Sequence, residues 1–345
     1  MRSKIQYCEN MLPRVSRTFA PTIRRLPKGL RLPVTVAYLL CRIADTIEDS
    51  PDLSIEQKKE MLSHYANIFT GENTAAYHQL LALLKFLPQH SADEQLAHKL
   101  PVVMEVFYSF SPNVRGLIAR WVAEMSLGMR KYAQAKQKRR FSFLKSMKEL
   151  DEYTYYVAGT VGYLLTELFS YYSKKITPMV KMRLEQLAES FGKGLQLVNI
   201  IRDAAADLKR GQSYIPDELL QKYHLTRESI FQKENADRAV QLFNELIRNA
   251  VHHLDRALDY TLTIPKEETR IRLFCILPLF WALRTLELIQ RNTLALLDSE
   301  KIKISRRAVR KEFLLALIHV NSNRMLRWYY QRIRSSIDRP LLNTQ

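Results

Sequence analysis

Apolar residues recur at helical spacing along almost the whole chain, while alternating, strand-like stretches are scarce. Only nine of the 345 residues are glycine, and no Gly/Ser-rich or Pro-rich linker interrupts the pattern. A chain patterned in this way has one economical solution, helices packed on helices. The reading is therefore an all-α fold forming a single domain over 1–345, with a basic C-terminal extension over about 321–345. Hydrophobic residues make up 47% of the chain, ample for a sizeable core. The longest apolar run, Leu273–Leu283, is about half the ~20 residues a membrane span needs, so it reads as a buried helix. Pro13 and Arg14 interrupt the only candidate signal segment. No transmembrane segment is expected.

Two acidic stretches stand out from this apolar background. In Asn199-Ile-Ile-Arg-Asp-Ala-Ala-Ala-Asp207, the residues Asn199, Asp203 and Asp207 are spaced i, i+4 and i+8 and share one helical face. Carboxylates one turn apart are hard oxygen ligands suited to a divalent cation such as Mg²⁺. Arg202, Lys209 and Arg210 beside them suit an anion held together with the metal. The helix is expected to stop near Gly211, before Pro216. Far upstream, Asp45, Glu48 and Asp49 have i, i+3, i+4 spacing at the end of the apolar stretch Val34–Ala44. Tyr38 and Arg42 fall on roughly the same face as Asp45. Each cluster alone also reads as solvated helix surface. Together they suggest two carboxylate-bearing helices facing a pocket, where metal ions would hold the diphosphate of an apolar substrate.

The charge balance is 53 basic against 35 acidic residues, or +18. Such an excess favours anionic partners: nucleic acid, an anionic membrane surface or a diphosphate. Nucleic-acid binding leaves both acidic helices unexplained, since carboxylates repel phosphate unless a metal intervenes, and no nucleic-acid partner is expected. Cys8, Cys41 and Cys275 are widely spaced and suit a reducing compartment, and the eight histidines form no zinc-like grouping. The adjacent His252-His253 pair reads as surface.

The remaining segments carry weaker signals. Ser16 and Arg17 suit phosphate oxygens, the arginine through its planar fork, or else a capped first helix. Lys131–Arg140 reads as a solvated basic loop able to touch lipid headgroups. In Tyr153–Gly162, Gly159 and Gly162 inside a helical pattern imply close packing or room for a bulky ligand. Tyr153 and Tyr156 suit either a core or the stabilisation of a carbocation by ring quadrupoles. Glu228–Leu262 reads as one amphipathic helix, and Thr269–Leu297 as a helix kinked at Pro278. Lys301–Arg307 reads as a short basic loop before a last helix, Val309–Ile333. The arginines around Trp328, Tyr329 and Tyr330 give that end a face suited to an interfacial contact.

Four ordered motifs are similar to those of the squalene/phytoene synthase family: Ser-Arg-Thr-Phe at 16–19, Asp-Thr-Ile-Glu-Asp at 45–49, Tyr-x-x-Tyr-Val-Ala-Gly-x-Val-Gly at 153–162 and Asn-Ile-Ile-Arg-Asp-x-x-x-Asp at 199–207. The resemblance spans about residues 14–310. It implies an isoprenoid-synthase-type helical bundle around a central hydrophobic cavity, and head-to-head joining of two isoprenyl diphosphates. It implies Mg²⁺ held by Asp45, Asp49, Asp203 and Asp207, with Glu48 and Asn199 assisting. It places Ser16, Arg17, Phe19, Tyr38, Arg42, Gln196, Asn199 and Arg202 at the substrate, and Tyr153 as acid/base or cation stabiliser. Within the family, Phe274–Pro278 with Ala282 and Thr285-Leu286 resembles squalene synthases. Lys301, Lys303 and Arg306 fall in a stretch resembling the basic flap associated with NADPH. The implied activity is squalene formation from farnesyl diphosphate through presqualene diphosphate. Arg210–Pro216 is closer to phytoene- and dehydrosqualene-type synthases, which make no use of NADPH, and Tyr155 stands where animal and fungal squalene synthases carry His. The expected protein is a cytoplasmic monomer, peripheral on the inner membrane face.

Overall fold

The computed structural model describes residues 1–71, 74–139, 144–291 and 302–342, and among them there are helices and no strands. In chain order the helices are α1 (Arg2–Val15), α2 (Phe19–Ile23), α3 (Lys28–Asp49), α4 (Ile55–Thr70), α5 (Thr74–Leu83), α6 (Ala92–His98), α7 (Leu100–Tyr108) and α8 (Pro112–Arg139). They continue as α9 (Met147–Thr154), α10 (Thr160–Tyr172), α11 (Pro178–Lys209), α12 (Asp217–Lys222), α13 (Ala236–Thr263), α14 (Thr269–Arg291), α15 (Arg306–His319) and α16 (Asn323–Leu342).

The chain forms two compact units, each built from non-contiguous segments. The first comprises Met1–Lys138 and Tyr156–Lys181. Its axis is α3, which packs against α1, α2, α4, α6, α7 and α10. Encirclement follows from composition: Val34, Val36, Ala37, Leu39, Leu40, Ile43, Ala44 and Ile47 cover the helix nearly all round, as in a helix buried on every side. The second unit comprises Arg139–Tyr155 and Met182–Gln345. There α14 packs against α13, α15 and α16. By length and hydropathy α14 could cross a membrane, yet 89% of its most apolar window is buried inside the protein, as expected of a core helix. It continues through Pro278.

Buried Arg272 of α14 fastens this second core. Its guanidinium donates to the carbonyls of Ile264 at 2.6 Å and Val320 at 2.8 Å, and to Asn323 Oδ1 at 2.6 Å. One side chain thereby satisfies chain ends on three elements that would otherwise be orphaned.

Four segments depart from the sequence reading. Lys131–Arg139 is not a loop; it completes α8, because Lys, Arg, Gln and Ala are good helix formers and like charges alone do not end a helix. Arg140 lies outside the described residues. The helix expected from Glu228 begins only at Ala236. Thr226 and Ser229 exchange side-chain–backbone hydrogen bonds at 2.8 and 3.1 Å, a local alternative to helix formation. The expected last helix is two, α15 and α16, separated where Asn321 binds Thr269 and Ser322 caps Met325. Finally, Tyr155–Gly159 forms a π-helical turn between α9 and α10. Such turns carry an extra residue and often accompany functional sites.

Candidate active site

The first carboxylate cluster belongs to the first unit. α3 ends at Asp49 and Ser50, so Asp45, Glu48 and Asp49 occupy its last turn and a half. Tyr38, Arg42 and Asp45 stack up the preceding turns: Arg42 Nη2 donates to the Tyr38 hydroxyl at 2.8 Å, and Nη1 lies 3.4 Å from Asp45 Oδ2. Arg42 Nε also lies 3.8 Å from Asp93 Oδ1 in the first turn of α6. Glu48 is turned into the protein, whereas Asp49 is exposed. Burial pushes the Asp45 carboxyl up to about 7, with Asp49, Glu48 and Asp93 adding to the rise and Arg42 opposing it. Asp45, Glu48, Asp49 and Asp93 thus gather around Arg42, and Lys58 donates to the Glu48 carbonyl at 2.7 Å.

Ser16 and Phe19 approach the same face from the junction of α1 and α2. Buried Ser16 ends α1 in extended geometry and its hydroxyl accepts from the Phe19 N–H at 3.0 Å. The Phe19 ring packs 5.9 Å from that of Tyr38. Arg17, between them, is exposed. The structure therefore brings Ser16, Phe19, Tyr38, Arg42 and Asp45 together, and adds Asp93. Sequence reasoning missed Asp93 because a single acid near a helix start carries no signal of its own; in the structure Ser91 and Glu94 form a capping box that sets this start.

The second cluster belongs to the second unit. Gln196, Asn199, Arg202, Asp203 and Asp207 lie along the last turns of α11. Arg202 grips Asp203 with two nitrogens, Nε to Oδ1 at 3.0 Å and Nη2 to Oδ2 at 2.5 Å. Asp207 is buried and pairs with Arg210. Burial raises the Asp207 carboxyl, helped by Asp203 and opposed by Arg210. α11 stops as expected: Gly211 adopts φ 76°, and the Gln212 N–H returns to the Asp207 carbonyl at 2.9 Å. The chain after this stop places Tyr214, whose ring stacks on that of buried Tyr153 at 5.3 Å. Tyr156 is placed elsewhere, in the first unit, against Gly128 and Tyr132.

Among the described residues no three His, Cys, Asp or Glu side chains are grouped as metal ligands. Instead Asp45, Asp203 and Asp207 each have an arginine counterion. The oxygen-only donors of the two clusters are nevertheless of the chemical type that a hard divalent cation takes. Lys303 and Arg306 are exposed just before and at the start of α15; Lys301 lies outside the described residues.

Of the histidine pair, His252 is exposed as expected, whereas His253 departs from the surface reading. His253 Nδ1 lies 3.1 Å from Ser190 Oγ, beside buried Lys193 and its partners Asp151 and Glu189. Burial and the nearby Lys193 push its pKa down to about 4. This is a structural tie within the second unit.

Residues 12–308 match the squalene/phytoene synthase family. Human squalene synthase is 29% identical over 303 residues, 88% of this chain and 68% of that protein. Squalene synthase of Saccharomyces cerevisiae is 31% identical over 301 residues, 86% of this chain and 64% of that protein. The chain thus spans about two thirds of these relatives' length. The solved structure of TcSQS with the ligand E5700 superposes with a TM-score of 0.77 at 22% identity, covering 99% of both chains. A dehydrosqualene synthase in complex with a ligand gives 0.65 at 22% identity, covering 93% of this chain and 98% of that one. These two structures speak for the all-helical fold. The family match covers most of the chain, including both aspartate clusters and the Tyr153–Gly162 segment, and the chain therefore belongs to the squalene/phytoene synthase family of prenyltransferases.

Proposed function

We propose that the protein is a squalene synthase, joining two molecules of farnesyl diphosphate head to head through presqualene diphosphate to squalene, with Mg²⁺ and NADPH. The observation that carries this reading is the pair of aspartate clusters, one per unit. Each lies in a motif of the family, and each contains a carboxyl, half-buried Asp45 or buried Asp207, that its surroundings raise.

Asp45 and Asp49, with Glu48, and Asp203 and Asp207, with Asn199, would hold Mg²⁺. When bound, Mg²⁺ neutralises charge that develops on a departing diphosphate. Arg42 and Arg202 are held by Asp45 and Asp203 in the free protein, within reach of a phosphate that competes for their forks. Ser16, Arg17 and Tyr38 supply further donors, and Phe19 and Gln196 complete the substrate contacts. Tyr153, backed by Tyr214, presents a π-rich surface to an allylic cation and a hydroxyl for proton transfer. Lys303 and Arg306 are exposed cations of the kind that bind the phosphates of NADPH, which supplies hydride.

The test is incubation of the purified protein with farnesyl diphosphate, with and without Mg²⁺ and NADPH, followed by lipid analysis. Squalene forming only when both are present, and falling at least about 100-fold in Asp203→Ala, is the expected result. The Arg210–Pro216 segment favours a second reading, a dehydrosqualene- or phytoene-type synthase. A C30 polyene made without the nicotinamide, or a C40 product from geranylgeranyl diphosphate, would replace the first reading with the second.

A further inference from the structure

The outer face of α15 and α16 has no counterpart elsewhere in the functional reading. Along α15, Leu314, Leu317 and Ile318 are spaced i, i+3, i+4 and are all exposed, Ile318 to 71%. Arg307, Arg310 and Lys311 precede Leu314 by seven, four and three residues, so they continue the same face toward the start of the helix, and they too are exposed. The opposite face of α15 is inward: Glu312, Ala316 and His319 are buried.

On α16, Arg324, Trp328 and Arg332 form an i, i+4, i+8 row with Met325 beside it. Trp328 is 51% exposed, and the Arg332 guanidinium lies 5.8 Å over its ring. His319, the neighbour of Ile318, meets the Trp328 ring edge-on at 6.4 Å. That contact lies on the inward side of α15 and packs the two helices together, so the two stripes are separate exposed surfaces of one helix pair. Scattered exposed leucines need no explanation, but three large apolar side chains on one helical face, in line with three cations, do.

The charge of this helix pair selects the occupant. Residues 302–338 contain nine Lys and Arg against two acidic residues: Glu312, buried in contact with Arg284 and Tyr329, and Asp338, paired with Arg334. The pair is therefore apolar along its exposed stripes and cationic around them, with long side chains able to keep their heads in water while their stems follow apolar surface. We propose that the α15–α16 face docks the protein on an anionic lipid bilayer, Leu314, Leu317, Ile318 and Trp328 entering the interface and the surrounding cations meeting lipid phosphates. This inference does not depend on which product the enzyme makes.

The experiment uses the full chain and vesicles of phosphatidylcholine with or without 30 mol%, on the order used for anionic surfaces, of phosphatidylglycerol. Binding is read by co-sedimentation and by tryptophan emission. Trp121 and Trp281 are buried, so a blue shift on binding reports Trp328. Expected are partition at least about tenfold stronger on the anionic vesicles, and a blue shift that Trp328→Phe removes. Leu314→Glu/Ile318→Glu and, separately, Arg310→Glu/Lys311→Glu should each weaken partition on the order of tenfold. All four positions are exposed, and unchanged circular dichroism and melting would confirm that both variants fold. The proposal is overturned if wild type ignores anionic vesicles, if folded variants bind undiminished, or if wild type is a dimer that Leu314→Glu/Ile318→Glu splits while vesicle binding persists.

Discussion

Asp45 illustrates how a desolvated carboxylate among like charges weakens the protein that carries it. Burial drives the carboxyl to about 7, with Asp49, Glu48 and Asp93 adding to the rise and Arg42 opposing it. Between about pH 4 and 7 the folded protein keeps a proton that the unfolded chain has released. Metal-free stability therefore falls as pH rises through that window. Asp45→Asn removes the penalty while keeping the shape. Because Asp45 retains 27% of its side-chain surface, solvent screening limits the gain to about 1 kcal/mol. Denaturant unfolding in EDTA should find the variant more stable than wild type at pH 8, with the margin shrinking as pH falls and gone near pH 4, while Mg²⁺-dependent activity is lost. A variant less stable at pH 8 would refute the charge account. At this scale the sequence was informative about which residues carry charge on which face, since i, i+4 spacing is a property of any helix. It was silent on Asp93 and on the inward turn of Glu48, because both depend on which neighbour packs against the helix end.

Helix α8 sets two glycines against each other. A Cβ on Gly116 would meet nothing within 4 Å, whereas one on Gly128 would lie 2.0 Å from the Tyr156 ring. Gly128 is thus the floor under the π-helical turn: the ring rests where a side chain would otherwise stand. Helix propensity predicts that alanine improves both positions, packing predicts opposite signs. Gly116→Ala should stabilise by about 0.5–1 kcal/mol. Gly128→Ala should destabilise by about 1–3 kcal/mol, as overpacking does, because Tyr156 must move. Urea unfolding of the two variants, compared with wild type, decides the matter; a stabilising Gly128→Ala would mean that the turn relaxes freely. Element type was legible wherever apolar residues recur at helical spacing, since that periodicity survives any packing arrangement. Element ends were less so. Lys131–Arg139 stayed helical because its residue types favour a helix and like charges alone do not end one, and Glu228–Asn235 did not because Thr226 and Ser229 satisfied each other first.

The division into two compact units left no trace in the sequence, because each unit is assembled from separated segments and α8 and α11 run on without linkers. What the whole chain does announce is its charge. An excess of +18 repels itself in the compact state and is relieved by screening. The surface ion pairs, such as Arg327–Asp259 and Lys222–Glu245, act in the opposite sense but are exposed and weakened by solvent. Raising NaCl from about 0.01 M to 0.1 M shortens the screening length from about 30 Å to about 10 Å. That is enough to separate like charges across the molecule but not the partners within an ion pair. The melting temperature should therefore rise by a few degrees over this range. Attachment to anionic vesicles should weaken over the same range, since it draws on the same long-range field. The two responses have opposite signs from one cause, so differential scanning calorimetry and co-sedimentation in matched salt series test it together. A melting temperature that falls with salt would mean that paired charges outweigh the surplus.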